Sequence, residues 1–127
     1  MIISERQIEK NKIISAFRKY TRLGLSNARL TPFEAYERIR GVCLDKECAN
    51  DLLAVYDTIR FLKISGKTEV LSAVRAVYLD TLRKKPHKND ISLRVLRYAY
   101  ENNYDERTVY RQLEYARKMY KLVRSST

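Results

Sequence analysis

Long apolar runs are missing from this 127-residue chain, and no window approaches the roughly 20 consecutive apolar residues that span a bilayer. The opening Met1-Ile2-Ile3-Ser4-Glu5 has neither a basic start nor an apolar stretch, so no signal peptide is expected and the chain reads as cytoplasmic. Histidine is nearly absent. His87 stands alone in a basic stretch with no carboxylate or cysteine beside it, which leaves a catalytic triad or a histidine base without partners. Cysteine is limited to Cys43 and Cys48, without the second pair or the spaced histidines of a zinc site. The expected state is two reduced thiols at half-buried helix positions, with no disulfide framework, no metal and no cofactor. A glycine-rich phosphate loop is also missing. Gly66-Lys67-Thr68 has the last letters of one, but Phe61 stands where its first glycine belongs and no strand precedes it. Nothing in the pattern points to an enzyme.

Glycine and proline are scarce as well, three and two residues respectively, and no stretch alternates with the two-residue period of a strand. What remains is the helical period. The spacing predicts an all-α fold of five to six helices. Ser4-Glu5-Arg6-Gln7 reads as a capping box opening a first helix with Ile8, Ile13, Ile14, Phe17 and Tyr20 inward, ending near Gly24. Thr31-Pro32-Phe33-Glu34 opens a second, which stops at Gly41. A third runs from about Asp45 to Ile64 with Leu52, Leu53, Tyr56, Ile59 and Leu62 inward, and Gly66 breaks it. Thr68 is the expected cap of a fourth, through Val70, Leu71, Val74, Val77, Tyr78 and Leu82. The basic, proline-broken run Arg83-Lys84-Lys85-Pro86-His87-Lys88 reads as a linker. Asn89 or Asp90 then opens a helix burying Leu93, Leu96 and Ala99, and a last helix runs from Asp105 to about Val123. The organisation expected is an N-terminal helical region, 1–66, for oligomerisation or partner binding, and a second helical region, 67–127, that holds the C-terminal turn between helices.

Charge is abundant and one-sided. Lys and Arg number 26 against 15 Asp and Glu, a surplus of 11, with an isoelectric point near 9.8. From Arg83 onward, 12 basic residues face 5 acidic ones, while the first 82 residues carry 14 and 10. A surplus of this kind suits a polyanionic partner or a solvated basic surface.

The basic half contains the most specific pattern in the chain, Ala99 through Leu113. Small Ala99 lies four residues before Asn103, a residue type that tolerates positive φ. Tyr104 can plug the turn, and Asp105 can cap the helix that follows. Val109 and Leu113 give that helix its buried stripe. This spacing is that of a helix-turn-helix, two helices at a tight turn with the second in the major groove. Arg107, Thr108, Arg111 and Gln112 are then the candidate base readers, since the planar fork of arginine suits guanine. Arg94, Arg97, Tyr110 and Lys118 are the candidate phosphate contacts.

With these residues in place, Lys88 through Lys121 resembles the C-terminal helix-turn-helix of bacterial sigma factors and of the small phage late-gene regulators of the RinA and ArpU type. The resemblance rests on Ile91-Ser92-Leu93-Arg94-Val95-Leu96, the turn Asn102-Asn103-Tyr104, and Asp105 through Arg111. It departs where Asn103 replaces the usual turn glycine and polar Asn102 an apolar residue. It implies sequence-specific, promoter-proximal binding of double-stranded DNA and transcription control in a phage-infected or lysogenic bacterium. Reading by one short helix also implies a homo-oligomer, and the N-terminal helices are a candidate contact for RNA polymerase. The competing expectations are another phage DNA-handling role, a small terminase subunit or replication accessory, and a basic helical module or inhibitor that binds an acidic protein.

Overall fold

The computed structural model describes residues 4–26, 29–79 and 90–126. Over these residues the chain forms six helices and no strand: α1 (Glu5–Arg22), α2 (Pro32–Val42), α3 (Lys46–Ile64), α4 (Thr68–Val77), α5 (Asp90–Glu101) and α6 (Glu106–Ser125). The expected linker at 83–88, with His87, lies outside the described residues, as do Leu82 and Asn89.

Side-chain oxygens set the helix starts by accepting from amides that have no partner inside the helix. Ser4 accepts from the Gln7 N–H at 3.2 Å and opens α1. The Gln7 amide turns instead to Asn11, 3.0 Å away, so this box is only half formed. At α2 the box is complete, with Thr31 and Glu34 each accepting from the other's backbone N–H. Asp45 caps α3 through Cys48 and Asp105 caps α6 through Thr108, both at 2.7 Å. α4 departs from expectation: Thr68 is its first helical residue, and the cap position belongs to Lys67, which makes no side-chain cap. The cause is how α3 ends. The Lys67 N–H reaches back to the Leu62 carbonyl at 2.9 Å, so the chain passes straight from the turn at Gly66 into α4.

Three helix ends, those of α1, α3 and α5, share one device. Leu25, Lys67 and Tyr104 each donate their N–H to a carbonyl five residues back, around a left-handed residue that is Gly24, Gly66 or Asn103. This is the Schellman closure. At Asn103, with φ of +57°, it ends α5 and turns the chain into α6. The Tyr104 ring comes to 6.1 Å from that of Tyr98, the apolar contact that accompanies such closures.

One continuous core joins residues on both sides of Gly66. Phe17 of α1 lies with its ring 5.6 Å from Tyr78, which caps α4, and 5.8 Å from Tyr120 of α6. Ile39 of α2, Leu52, Val55, Thr58 and Leu62 of α3, Val74 and Val77 of α4, Val95 of α5, and Val109 and Leu113 of α6 are fully buried along with Phe17 and Tyr78. α6 packs on α3 and α4, and also touches α5 and α1. α2 packs on α3 alone among the described residues, aided by a bond from the Tyr56 hydroxyl to the Leu30 carbonyl at 2.8 Å.

Two expectations about the core are corrected. Ile8 on α1 is 47% exposed. On α5, Leu93 and Leu96 are 53% and 51% exposed, while Asp90, Val95, Tyr98 and Ala99 point inward. The helix is turned this way by a polar contact. The buried Asp90 carboxylate accepts from Arg18 of α1 at 3.1 Å and from Arg94 at 3.2 Å. Arg94 also donates to the Val77 carbonyl, 3.2 Å away. Three helices are thereby locked at the start of α5.

Candidate nucleic-acid interface

The cap at Asp105 decides where the side chains of α6 emerge. Its bond to the Thr108 N–H holds the Asp105 carboxyl below the ordinary aspartate range. From that start, Val109, Leu113, Ala116 and Tyr120 recur at helical spacing and are buried. Residues two positions away from such a stripe lie on the opposite side of the helix. Arg107, Arg111 and Lys118 occupy that outward side with Glu114, and all three cations are exposed. Arg107 and Arg111 make no ion pair with any described carboxylate at contact distance. Lys118 is loosely paired to Glu114 at 3.6 Å.

The other predicted residues divide. Thr108 and Gln112 lie on one flank of this side, both half-buried. The Gln112 Oε1 is out of solvent and has no hydrogen-bond partner among the described residues. Tyr110 lies on the other flank, 37% exposed. Arg97, on α5, is largely exposed and carries a surface pair with Glu101 at 3.2 Å, a kind of contact worth at most about 0.5 kcal/mol. Arg94 does not join them. Its side chain is only 13% exposed and its guanidinium is held by Asp90 and Val77, so it braces the fold where a phosphate contact was expected.

The remaining basic residues of α6 are engaged with the protein itself. Arg117 donates to the Tyr78 hydroxyl at 2.8 Å, Lys121 pairs with Glu9 at 2.6 Å, and Arg124 pairs with both Glu47 and Asp51 at 2.8 Å. These contacts fasten the second half of α6 to α1, α3 and the end of α4. The first half carries Arg107 and Arg111, which have no ion pair among the described residues. Nothing near α6 in the sequence announces this division, because the partners lie as far away as residues 9, 47, 51 and 78.

Outside α6, α5 presents Leu93, Leu96 and Tyr100 to solvent at positions one turn apart, with Arg97 among them. No three histidine, cysteine or acidic side chains come together among the described residues in a way that would hold a metal ion. No helix among the described residues is long and apolar enough to cross a membrane. No protein family, curated protein or solved structure matches this chain.

Proposed function

We propose that this protein is a sequence-specific DNA-binding transcriptional regulator, phage or prophage encoded, that inserts the first half of α6 into the major groove. The observation that carries the reading is the pair Arg107 and Arg111, exposed, without carboxylate partners among the described residues, and one turn apart immediately after the sharp bend at Asn103. Two guanidiniums on one helix face can each form a bidentate contact with guanine. Thr108 and Gln112 flank them as further base contacts. Arg97, Tyr110 and Lys118 supply phosphate contacts that set register on the duplex. A single helix reads few base pairs, so the working species in this reading is a homo-oligomer on double-stranded DNA, with RNA polymerase as a further partner. The relationship to the RinA and ArpU type of regulator is part of the same proposal.

Selection of binding sites from a random duplex pool, followed by shift assays at fixed salt, tests it. Arg111→Ala and Arg107→Ala each weaken the selected site by about 1–3 kcal/mol and relax base preference. Arg97→Ala weakens all sequences alike and lowers the salt slope by about 1. Enrichment of no sequence, or unchanged affinity in both arginine variants, refutes the reading. A basic face for an acidic protein partner is the second reading. Glu114 between Arg111 and Lys118 favours it, since a carboxylate facing phosphates is repelled while protein interfaces accommodate mixed charge.

A further inference from the structure

The corner between α2 and α3 brings together three groups that α6 does not use. The Cys43 and Cys48 sulfurs lie 2.7 Å apart, and the Lys19 ammonium of α1 donates to the Cys48 sulfur at 3.1 Å. Both cysteines are half-buried and neither is in a disulfide. Their positions are fixed by opposite helix ends. Cys43 closes α2, with its N–H on the Ile39 carbonyl at 3.0 Å. Cys48 is in the first turn of α3, held by Asp45 at 2.7 Å, where the positive end of the helix favours negative charge. A disulfide needs a separation of about 2.05 Å, so closure asks the sulfurs to move by less than about 1 Å.

We propose that Cys43 and Cys48 are an oxidant-accepting dithiol, in which Cys48 attacks a hydroperoxide and Cys43 closes the disulfide. The order follows from the surroundings. An ammonium and a helix N-terminus stabilise the negative charge a sulfur carries as it attacks, and both act on Cys48. Burial, followed by the bond to Cys48, pushes the Cys43 thiol up to about 11, so it keeps its proton until the second step. In the first step the Cys48 sulfur takes the terminal peroxide OH, the O–O bond breaks, and the leaving oxygen picks up the proton that Cys48 gives up, departing as the alcohol, or as water where the oxidant is hydrogen peroxide. Cys48 is then a sulfenic acid. The Cys43 sulfur attacks the Cys48 sulfur, the S–O bond breaks, and water departs with the Cys43 proton. Two electrons pass from the pair to the peroxide, and a dithiol reductant reverses the change. Closure would staple α2 to α3, the helix it packs against.

Oxidation of the full chain by hydrogen peroxide, followed by thiol counting and intact mass, tests this. The expected product is a monomer lacking two hydrogens and both free thiols. Cys43→Ser gives a sulfenic acid at Cys48 that dimedone traps, and Lys19→Met slows closure by roughly tenfold with an unchanged unfolding midpoint. Should a variant fold poorly, the native chain equilibrated with glutathione supplies the measurement. The pair should close at least about tenfold more readily folded than in concentrated guanidinium, because folding holds the sulfurs together. Disulfide-linked dimers in place of the monomeric product, dimedone trapped at Cys43 in Cys48→Ser as fast as at Cys48, or equal closure in the folded and denatured chain overturns the proposal.

Discussion

Replacing Asp90 probes the joint on which the orientation of α5 depends. Its carboxylate side chain is 4% exposed and bridges Arg18 and Arg94, whose side chains are 24% and 13% exposed. Asp90→Ala leaves two guanidiniums facing each other in a site that water reaches poorly. Removing one partner of a buried ion pair costs about 3–5 kcal/mol, because the remaining charge is stranded. Arg18 keeps a quarter of its side chain in solvent and Arg94 keeps the Val77 carbonyl, so the lower end, about 3 kcal/mol, is expected. Single domains are stable by about 5–15 kcal/mol, so this is a large fraction of the total. Urea unfolding followed by circular dichroism gives the loss, and a cycle with Arg94→Met separates the pair from its surroundings. The double variant should be less damaged than the sum of the singles by about 1–3 kcal/mol. A loss below about 1 kcal/mol for Asp90→Ala, or strict additivity, would refute the account of the joint.

Three further outcomes are expected. Asn103→Ala destabilises by about 1 kcal/mol because a Cβ without a compensating side-chain amide disfavours the left-handed backbone, while Asn103→Gly is neutral or stabilising by up to about 0.5 kcal/mol; equal urea midpoints for alanine and glycine would count against the strain argument. The Asp105 carboxyl is held below its ordinary value in the folded chain by the Thr108 N–H, so its contribution is complete above the unfolded value near pH 4 and fades as pH falls through the folded value. Asp105→Asn keeps a cap but removes this titration, so the variant should lose less stability than the native chain between about pH 6 and pH 3; identical pH profiles by urea titration would exclude it. Glu114→Gln removes a carboxylate from the outward side of α6 and should tighten DNA binding by roughly 0.5–1 kcal/mol at low salt, read in a shift assay; weaker binding would place that face elsewhere.

The helix starts were legible because capping is local. Thr31, Asp45 and Asp105 each bond an amide three residues on, so the donor and acceptor lie in the same short window of sequence. The turn at Asn103 was legible for the same reason, since a Schellman closure involves only residues 99 to 104. α5 was not. It carries apolar residues on two sides, Ile91, Val95, Tyr98 and Ala99 on one and Leu93, Leu96 and Tyr100 on the other. Either satisfies the helical period. Choosing between them required Arg18, 72 positions away from Asp90.

Composition, capping residues and the 3.6-residue period were sufficient to anticipate five to six helices, no strand and a bend before the last basic helix, because each of these features depends on neighbours within a turn. The described residues form six helices and no strand. Which arginines remain open to a partner is a different matter. Arg94, Arg117 and Arg124 look as available as Arg107 and Arg111 when read along the chain, yet Arg117 and Arg124 are held by groups brought in from other helices, and Arg94 by Asp90 of its own helix together with the Val77 carbonyl of α4. The meeting of Lys19, Cys43 and Cys48 is of the same kind. Charges and thiols acquire their roles from what folding places within a few ångströms of them, and that distance is set by the packing of α1, α3 and α6.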